Sequence, residues 1–436
     1  MSFVAIDLGV SSSRFTSNAR GGNCISIQNR MTLVENSDGS FDPKPIDITK
    51  DDDSLINNIE VIIEKDGCTD GMYPRHIVSG PLVARFNGIS NAPQMQQGKV
   101  KQNIHYYNAI MCVACDLAMT AMNGAIPDSD ITLFVTLPPD DEHASKDEFV
   151  QKLKGKYRVK FLRYPDANGV PVQIEFCINH MAVTAESKMA VFSWMYGMDL
   201  KRRPETLQYN GNTILSVDIG ESTTDFYASK DGKFYDKSGI SVKTGCGAAK
   251  SRFSDYMYET DSSVRITGDR LDDAFIEGRV KLGFGQYSSC EKELMKAKRE
   301  VARKIYDEFS AQLAGRGMNM SNFDLVLMSG GGAMPSMYVE DGVQKTTVDS
   351  IADYLFELMK QQNNYIVKLE YPGTPRSANI NGLLISARIK EVHDAEVSRT
   401  KQQSNEQAVA KAEMEKCSTF NSGSEASGTA DGNTAG

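Results

Sequence analysis

The chain has no uninterrupted run of about 18 apolar residues, the length a bilayer-spanning helix needs, so nothing in it reads as a membrane span. It also lacks the GxxxxGK[ST] pattern, which excludes the P-loop as its phosphate cradle. Positive charge is in deficit. Against 57 Asp and Glu stand 48 Lys and Arg, a net charge of −9, and that balance argues against wide direct contact with nucleic acid. Only five histidines occur, His76, His105, His143, His180 and His393, with no ligand spacing, so no protein-ligated metal is expected. The eight cysteines are scattered apart from Cys112 and Cys115. These two lie in the Ala- and Met-rich stretch YYNAIMCVACDLAMTAM, where packing in a core helix over 104–123 is expected and redox or metal chemistry is the alternative. A strand at Phe3–Ile6 leaves no signal peptide in view, and a cytoplasmic location is expected.

What is present is a repeat. Residues 4–20, VAIDLGVSSSRFTSNAR, return in altered form at 215–231 as LSVDIGESTTDFYASKD. Each copy runs a β-branched stretch into an aspartate, places a glycine two residues on, then three hydroxyl residues: Asp7, Gly9, Ser11, Ser12, Ser13 and Asp218, Gly220, Ser222, Thr223, Thr224. The pattern predicts a strand, a tight turn and a returning strand. Glycine lets backbone approach a ligand, and successive turn N–H groups with added hydroxyls make an anion site. An aspartate beside phosphate repels it, but can hold the water shell of a bridging Mg²⁺. Two such hairpins facing each other would grip a nucleoside triphosphate from both sides. A third cluster, FDLVLMSGGGAMP at 323–335, runs an apolar strand into Gly330, Gly331 and Gly332, bare backbone on which a base or ribose can lie.

In order and spacing these three elements resemble the phosphate 1, phosphate 2 and adenosine motifs of the actin, heat-shock chaperone and sugar kinase superfamily. Within it the chain looks most like ParM-type bacterial actins, which segregate plasmids. DITLFVTLP at 130–138 resembles a strand of ParM relatives, VTAESKMA at 183–190 the first connecting segment, and SANINGLLI at 377–385 the second. The resemblance spans roughly residues 3–390. It implies an α/β fold of duplicated actin-like (ribonuclease H-like) domains with a nucleotide cleft between them, and 436 residues exceed what one core holds. The expected first domain is 1–208, with a lobe at about 25–95 and a return of 372–392. The expected second is 209–371, with a lobe at about 250–320. Residues 393–436 form a polar tail, helical over part of 394–416 and disordered at its low-complexity end.

The resemblance also implies roles. Asp7 and Asp218 would orient the waters of Mg²⁺. Ser11, Ser12 and Ser13 with Gly9 would cradle one phosphate, Ser222, Thr223 and Thr224 with Gly220 the next. Arg14 stands where many relatives place lysine and could pair with phosphate, while its counterpart Asp225 reads as structural. Glu186 is the candidate that positions the attacking water, the alternative being a helix-terminal carboxylate favoured by the macrodipole. In CEKELMKAKREVARKIYDEFSAQL, Leu294, Ala297, Val301, Ile305 and Phe309 mark a core face. Lys298 on the same helix is either a contact to the nucleotide or part of a solvated face. The implied activity is hydrolysis of ATP, or GTP, with Mg²⁺, coupled to a head-to-tail filament of the chain with itself. A separate DNA-binding adaptor would hold the cargo. The alternatives are a non-polymerising ATPase, a small-molecule kinase, or another bacterial cytoskeletal actin.

Overall fold

The computed structural model describes residues 2–9, 11–33, 52–68, 73–85, 103–125, 127–165, 169–235, 238–261, 266–283 and 285–421. Two compact units divide the chain, Met1–Ala387 and Arg388–Gly436. The first contains both sheets. In the second, the described residues are helical up to Asn421, within the helix Ala378–Asn421, and mostly exposed; the low-complexity end lies outside the described residues. Among the described residues no helix is long and apolar enough to cross a membrane.

Among the described residues the first sheet has nine strands: β1 (Ser2–Leu8), β2 (Ser12–Ser17), β3 (Ile25–Gln28), β4 (Met31–Leu33), β5 (Glu60–Lys65), β6 (Arg75–Ser79), β7 (Asp130–Leu137), β8 (Gly155–Pro165) and β9 (Pro171–Ala185). The chain continues through β10 (Thr213–Ile219), β11 (Thr224–Lys230), β12 (Lys233–Phe234), β13 (Ile240–Val242), the ribbon β14 (Arg279–Gly283) with β15 (Gln286–Ser289), β16 (Leu325–Ser329), the ribbon β17 (Ser336–Glu340) with β18 (Val343–Val348), and β19 (Val367–Leu369). Strand order is β3-β2-β1-β7-β9-β8-β5-β6-β4 in the first sheet and β12-β11-β10-β16-β19 in the second, where β13 also pairs with β11. The repeat seen in sequence is therefore a repeat of topology. In both halves a hairpin (β1–β2, β10–β11) is antiparallel, its first strand runs parallel to a later one (β7, β16), and that strand runs parallel to the next (β9, β19).

One feature of the nine-stranded sheet fixes its form. Its two outermost strands, β3 and β4, are consecutive in sequence, joined only by Asn29 and Arg30. Strands lie about 4.8 Å apart, so a flat sheet of this order would hold them roughly 38 Å apart. Three peptide steps reach at most about 11 Å. The sheet must curl until both ends meet at this dipeptide.

Core formation follows the expected faces. The helix Asn103–Met122 carries Cys112 and Cys115 fully buried against the first sheet, with Ile110, Val113 and Leu117, so both thiols are packing groups and burial pushes Cys115 up to about 12. The helix Glu291–Gly315 buries the whole expected stripe, Leu294, Ala297, Val301, Ile305 and Phe309. Its first turns join a lobe cluster with Phe253 and Ile266, but from Val301 onward it packs on the second sheet, where Phe309 stacks on Phe226 with centroids 3.9 Å apart. This helix thus belongs largely to the repeated core, whereas the sequence boundaries assign it to the lobe.

Two helices cross between the sheets. Ala190, Val191, Trp194 and Met195 of the helix Glu186–Met195 pack with Leu325, Leu327 and Leu369 of the second sheet. Ile380, Leu383, Leu384 and Ala387 pack with Phe3, Ala5 and Phe134 of the first. The segments touch at Gly382: a Cβ there would sit 1.9 Å from the carbonyl oxygen of Met189.

Candidate functional site

The paired hairpins bring their aspartates to equivalent places. Asp7 lies opposite Arg14 on β2 and beside Thr136 on β7; Asp218 lies opposite Asp225 on β11 and beside Ser329 on β16. Each carboxylate accepts a hydrogen bond from the neighbouring hydroxyl, Thr136 Oγ1 to Asp7 at 3.0 Å and Ser329 Oγ to Asp218 at 3.1 Å. The second oxygens differ. Asp7 receives Arg14 Nη1 at 3.2 Å, whereas Asp218 receives Nδ2 of Asn379, in the first turn of the second connecting helix, at 2.9 Å. Sequence reading missed Thr136, Ser329 and Asn379. All three stand in the segments quoted for the resemblance, but only strand pairing shows that they meet the aspartates.

The charge balance of the two hairpins is opposite. Arg14 compensates Asp7, while Asp225 places a like charge across from Asp218, an arrangement that destabilises a strand pair. Asp225 is fully buried and accepts from Thr223 Oγ1 at 2.9 Å and Ser241 Oγ at 2.5 Å. Burial first, and Asp218 after it, push Asp225 up to about 7. Burial and the charge of Asp7 push Asp218 up to about 6, against the hydrogen bonds of Asn379 and Ser329. Glu186 opens its helix, nine-tenths buried, and is raised well above the usual carboxylate range by burial and then by Asp7, Asp225, Asp218 and Asp141. Asp225 is thus held by the hydroxyls of Thr223 and Ser241 and is not a fixed anion.

These raised groups bind more protons folded than unfolded between about pH 4 and pH 7, so their contribution to stability is present at low pH and lost as pH rises through that window. The ligand-free protein is therefore expected to melt at lower temperature at pH 7.5 than the Asp225→Asn variant does, with the difference shrinking toward pH 4. Calorimetry at fixed ionic strength checks this, and parallel melting curves across the range would contradict it.

Strand alternation corrects the hydroxyl assignments. Side chains two apart share a face, so Ser12 and Arg14 lie with Asp7, while Ser13 pairs with Leu8 on the core face. Ser13 is fully buried and its Oγ donates to Asn29 Oδ1 at 2.8 Å. Thr224 likewise pairs with Ile219, and its Oγ1 donates to the Thr244 carbonyl at 2.8 Å. Neither is free to cradle phosphate. Ser12 Oγ, in contrast, is buried with no hydrogen-bond partner. Ser11 is exposed, and Ser222 and Thr223 are half-buried at the second turn. Lys298 is also corrected: its ammonium is 1% exposed and donates to Ser336 Oγ at 2.8 Å and the Asp349 carbonyl at 3.0 Å. It braces the lobe from inside instead of reaching a ligand, and burial lowers it to about 8.

The glycines divide similarly. Gly330 has φ of +85°, and a Cβ there would lie 2.6 Å from Asp218 Oδ1; at Gly332 a Cβ would lie 2.2 Å from Ile219 Cγ2. Gly331 has no such neighbour. A Cβ on Gly9 would meet the Ser12 carbonyl at 2.7 Å. Gly245, unnoticed in sequence, caps the helix Cys246–Thr260, and the N–H groups of Cys246 and Gly247 donate to the carbonyls of Gly220 and Glu221 at 2.9 and 2.8 Å. That helix start braces the second turn and turns its positive dipole end toward it. A glycine between a strand and a helix start was the available signal.

The residues fit a magnesium nucleotide. Asp7, Glu186, Asp218 and Asp225 converge, and Arg14 is the cation paired with one of them. Among the described residues no group of three or more His, Cys, Asp or Glu could hold a metal ion directly, so a cation here would be held through water. The unpartnered Ser12 hydroxyl and the open side of Gly331 leave an anion and a flat group somewhere to bind.

Two halves of this topology, with aspartate-bearing hairpins facing each other, define the actin fold. Comparison with known proteins agrees. Residues 216–338 match the family described as archaeal actin homologue MreB-like, C-terminal. No curated protein sequence matches the chain. Among solved structures, the actin-like protein Alp7A superposes with a TM-score of 0.64 at 16% identity, covering 91% of this chain and 98% of that one. ParM from Bacillus thuringiensis with ATP gives 0.56 at 14% identity, covering 90% and 99%. A 15-stranded ParM filament from Clostridium botulinum gives 0.56 at 16% identity, covering 88% and 97%. The chain has the actin-like fold.

Proposed function

We propose that this chain is a nucleotide-driven filament protein. It binds ATP, or GTP, with Mg²⁺ between the two halves, assembles head to tail with copies of itself, and disassembles after hydrolysis. The observation that carries the reading is the meeting of Asp7 and Asp218, from two copies of one hairpin at one register, beside Gly330 and Gly332. Solved relatives of the same fold include ParM with ATP and a ParM filament, which supports extending the reading to assembly. The net charge of −9 fits a filament that moves plasmid or phage DNA through a separate adaptor instead of binding it directly.

In this reading Asp7 and Asp218 hold the water shell of Mg²⁺, which when bound neutralises the phosphate oxygens. Thr136, Ser329 and Asn379 fix the orientation of those carboxylates by the hydrogen bonds described. Ser12 Oγ and the turn N–H groups after Gly9 and Gly220 hold phosphate. Burial and the charges of Asp7, Asp225, Asp218 and Asp141 hold Glu186 well above the usual carboxylate range. A cation bound beside those carboxylates would favour its ionised form, which would then orient a water molecule. A contact between unlike surfaces that does not close on itself gives an open helical polymer.

Right-angle light scattering after adding Mg-ATP, with phosphate release followed in the same sample, tests this. The expected trace rises steeply above a critical concentration and decays as phosphate appears. Flat scattering with steady or acceptor-dependent turnover would replace the filament with a non-polymerising ATPase or kinase.

A further inference from the structure

The dipeptide at which the curled sheet closes, Asn29–Arg30, is tied to three parts of the molecule. Asn29 is 4% exposed and grips the first hairpin: its N–H donates to the Ser11 carbonyl at 3.0 Å, its Oδ1 accepts from Ser13 Oγ at 2.8 Å, and its Nδ2 donates to the Gly9 carbonyl. The carbonyl of Arg30 accepts from Gly80 N–H at 2.8 Å and Ser79 Oγ at 3.1 Å, at the end of β6. Its guanidinium reaches the other half of the molecule, pairing with Asp269 Oδ1 at 3.1 Å. Asp269 begins the helix Asp269–Glu277, whose Asp272 pairs with Lys250 at 2.8 Å, and Lys250 donates to Glu221 at the second turn at 3.1 Å. Polar contacts, joined between Asp269 and Asp272 by the helix that both begin, therefore link one hairpin to the other without passing through the carboxylates between them.

We propose that Asn29–Arg30 is a positioning element that senses the opposite lobe through Asp269 and sets the shape of the first phosphate-binding hairpin, so that both hairpins are drawn into register together. Asn29 holds the three acceptor and donor groups that define the turn, and a shift of Arg30 displaces them. The second turn has no such side chain, being braced by the helix start at Cys246. The two hairpins thus differ in how they are held: the second by a helix start in its own half, the first by Asn29, whose neighbour Arg30 pairs with the opposite half. This deepens the nucleotide reading, since the hairpin so positioned is the one assigned to phosphate.

The test uses the full chain with Arg30→Glu, Asp269→Arg and the double exchange Arg30→Glu/Asp269→Arg. Asp269 is exposed and remote in sequence from the hairpin, so its replacement leaves the fold in place. Hydrogen exchange of a peptide covering residues 8–15, measured without nucleotide, is expected to quicken severalfold in either single variant and to return to the parent rate in the double. Mg-ATP affinity by calorimetry is expected to fall about five-fold in the singles, the upper range for an exposed pair, and to recover in the exchange. Unchanged exchange at 8–15 in Asp269→Arg, or a double variant equal to the sum of the singles, overturns the proposal. If the parent chain binds no Mg-ATP, the nucleotide reading fails instead, and the exchange measurement still decides the coupling.

Discussion

Alanine at Glu186 is expected to slow nucleotide hydrolysis by about 10²-fold or more while nucleotide affinity changes little. The side chain is nine-tenths buried at the start of its helix and lies within electrostatic reach of Asp7, Asp218 and Asp225, and on the proposed reading it orients the attacking water. Because burial and its carboxylate neighbours disfavour its charge, removing it changes little of the field that an anionic ligand meets. A helix-terminal carboxylate with no catalytic part predicts the reverse pattern, a loss of stability and affinity together with unchanged turnover. Single-turnover phosphate release and calorimetric titration on the same preparation separate the two. Filaments of the variant should also outlast those of the parent, because assembly would persist while its release is blocked.

The second large effect is expected at Gly382. In an exposed helix interior, glycine to alanine stabilises by roughly 0.5–1 kcal/mol. Here the added Cβ would fall 1.9 Å from the carbonyl oxygen and 2.6 Å from the carbonyl carbon of Met189, atoms of a helix backbone that cannot swing aside. The two connecting helices would have to separate, and overpacking of this kind costs about 1–3 kcal/mol or more. Gly382→Ala should therefore lower the denaturation midpoint with little change in slope. A raised midpoint would mean that the helices do not cross at this residue. Because these helices are the two links between the sheets, Gly382→Ala should also weaken nucleotide binding without touching any residue of the site.

Much of this was legible from the chain because duplication repeats local signals. The hairpins, the glycine-ended strand and the buried stripe of the helix Glu291–Gly315 all follow from patterns within a dozen residues, and each forms. The site was legible as a set of positions but not as a set of directions. A run of three hydroxyls looks uniform in sequence, whereas the strand period of two sends Ser13 and Thr224 into the core and leaves Ser12 beside Asp7. Lys298 looked available because charge on a helix usually means solvent; Ser336 and the Asp349 carbonyl, far along the chain, accept its protons instead. Thr136, Ser329, Asn379 and Asn29 were invisible for a related reason. Each matters through a partner more than fifteen positions away, and only pairing of strands or crossing of helices brings them together.

The unequal charge of the two hairpins bears, finally, on how much of this protein a cell can keep. Arg14 pairs with Asp7 in the first hairpin, but among the described residues no Lys or Arg pairs with Asp218, Asp225 or Glu186. On the proposed reading, a chain without bound nucleotide begins with that repulsion unrelieved. On the proposed reading, a ligand at a hundred times its dissociation constant adds about 2.7 kcal/mol, enough to move a marginal fold well clear of degradation. Abundance would then follow the supply of magnesium nucleotide, and the empty protein would be the short-lived one.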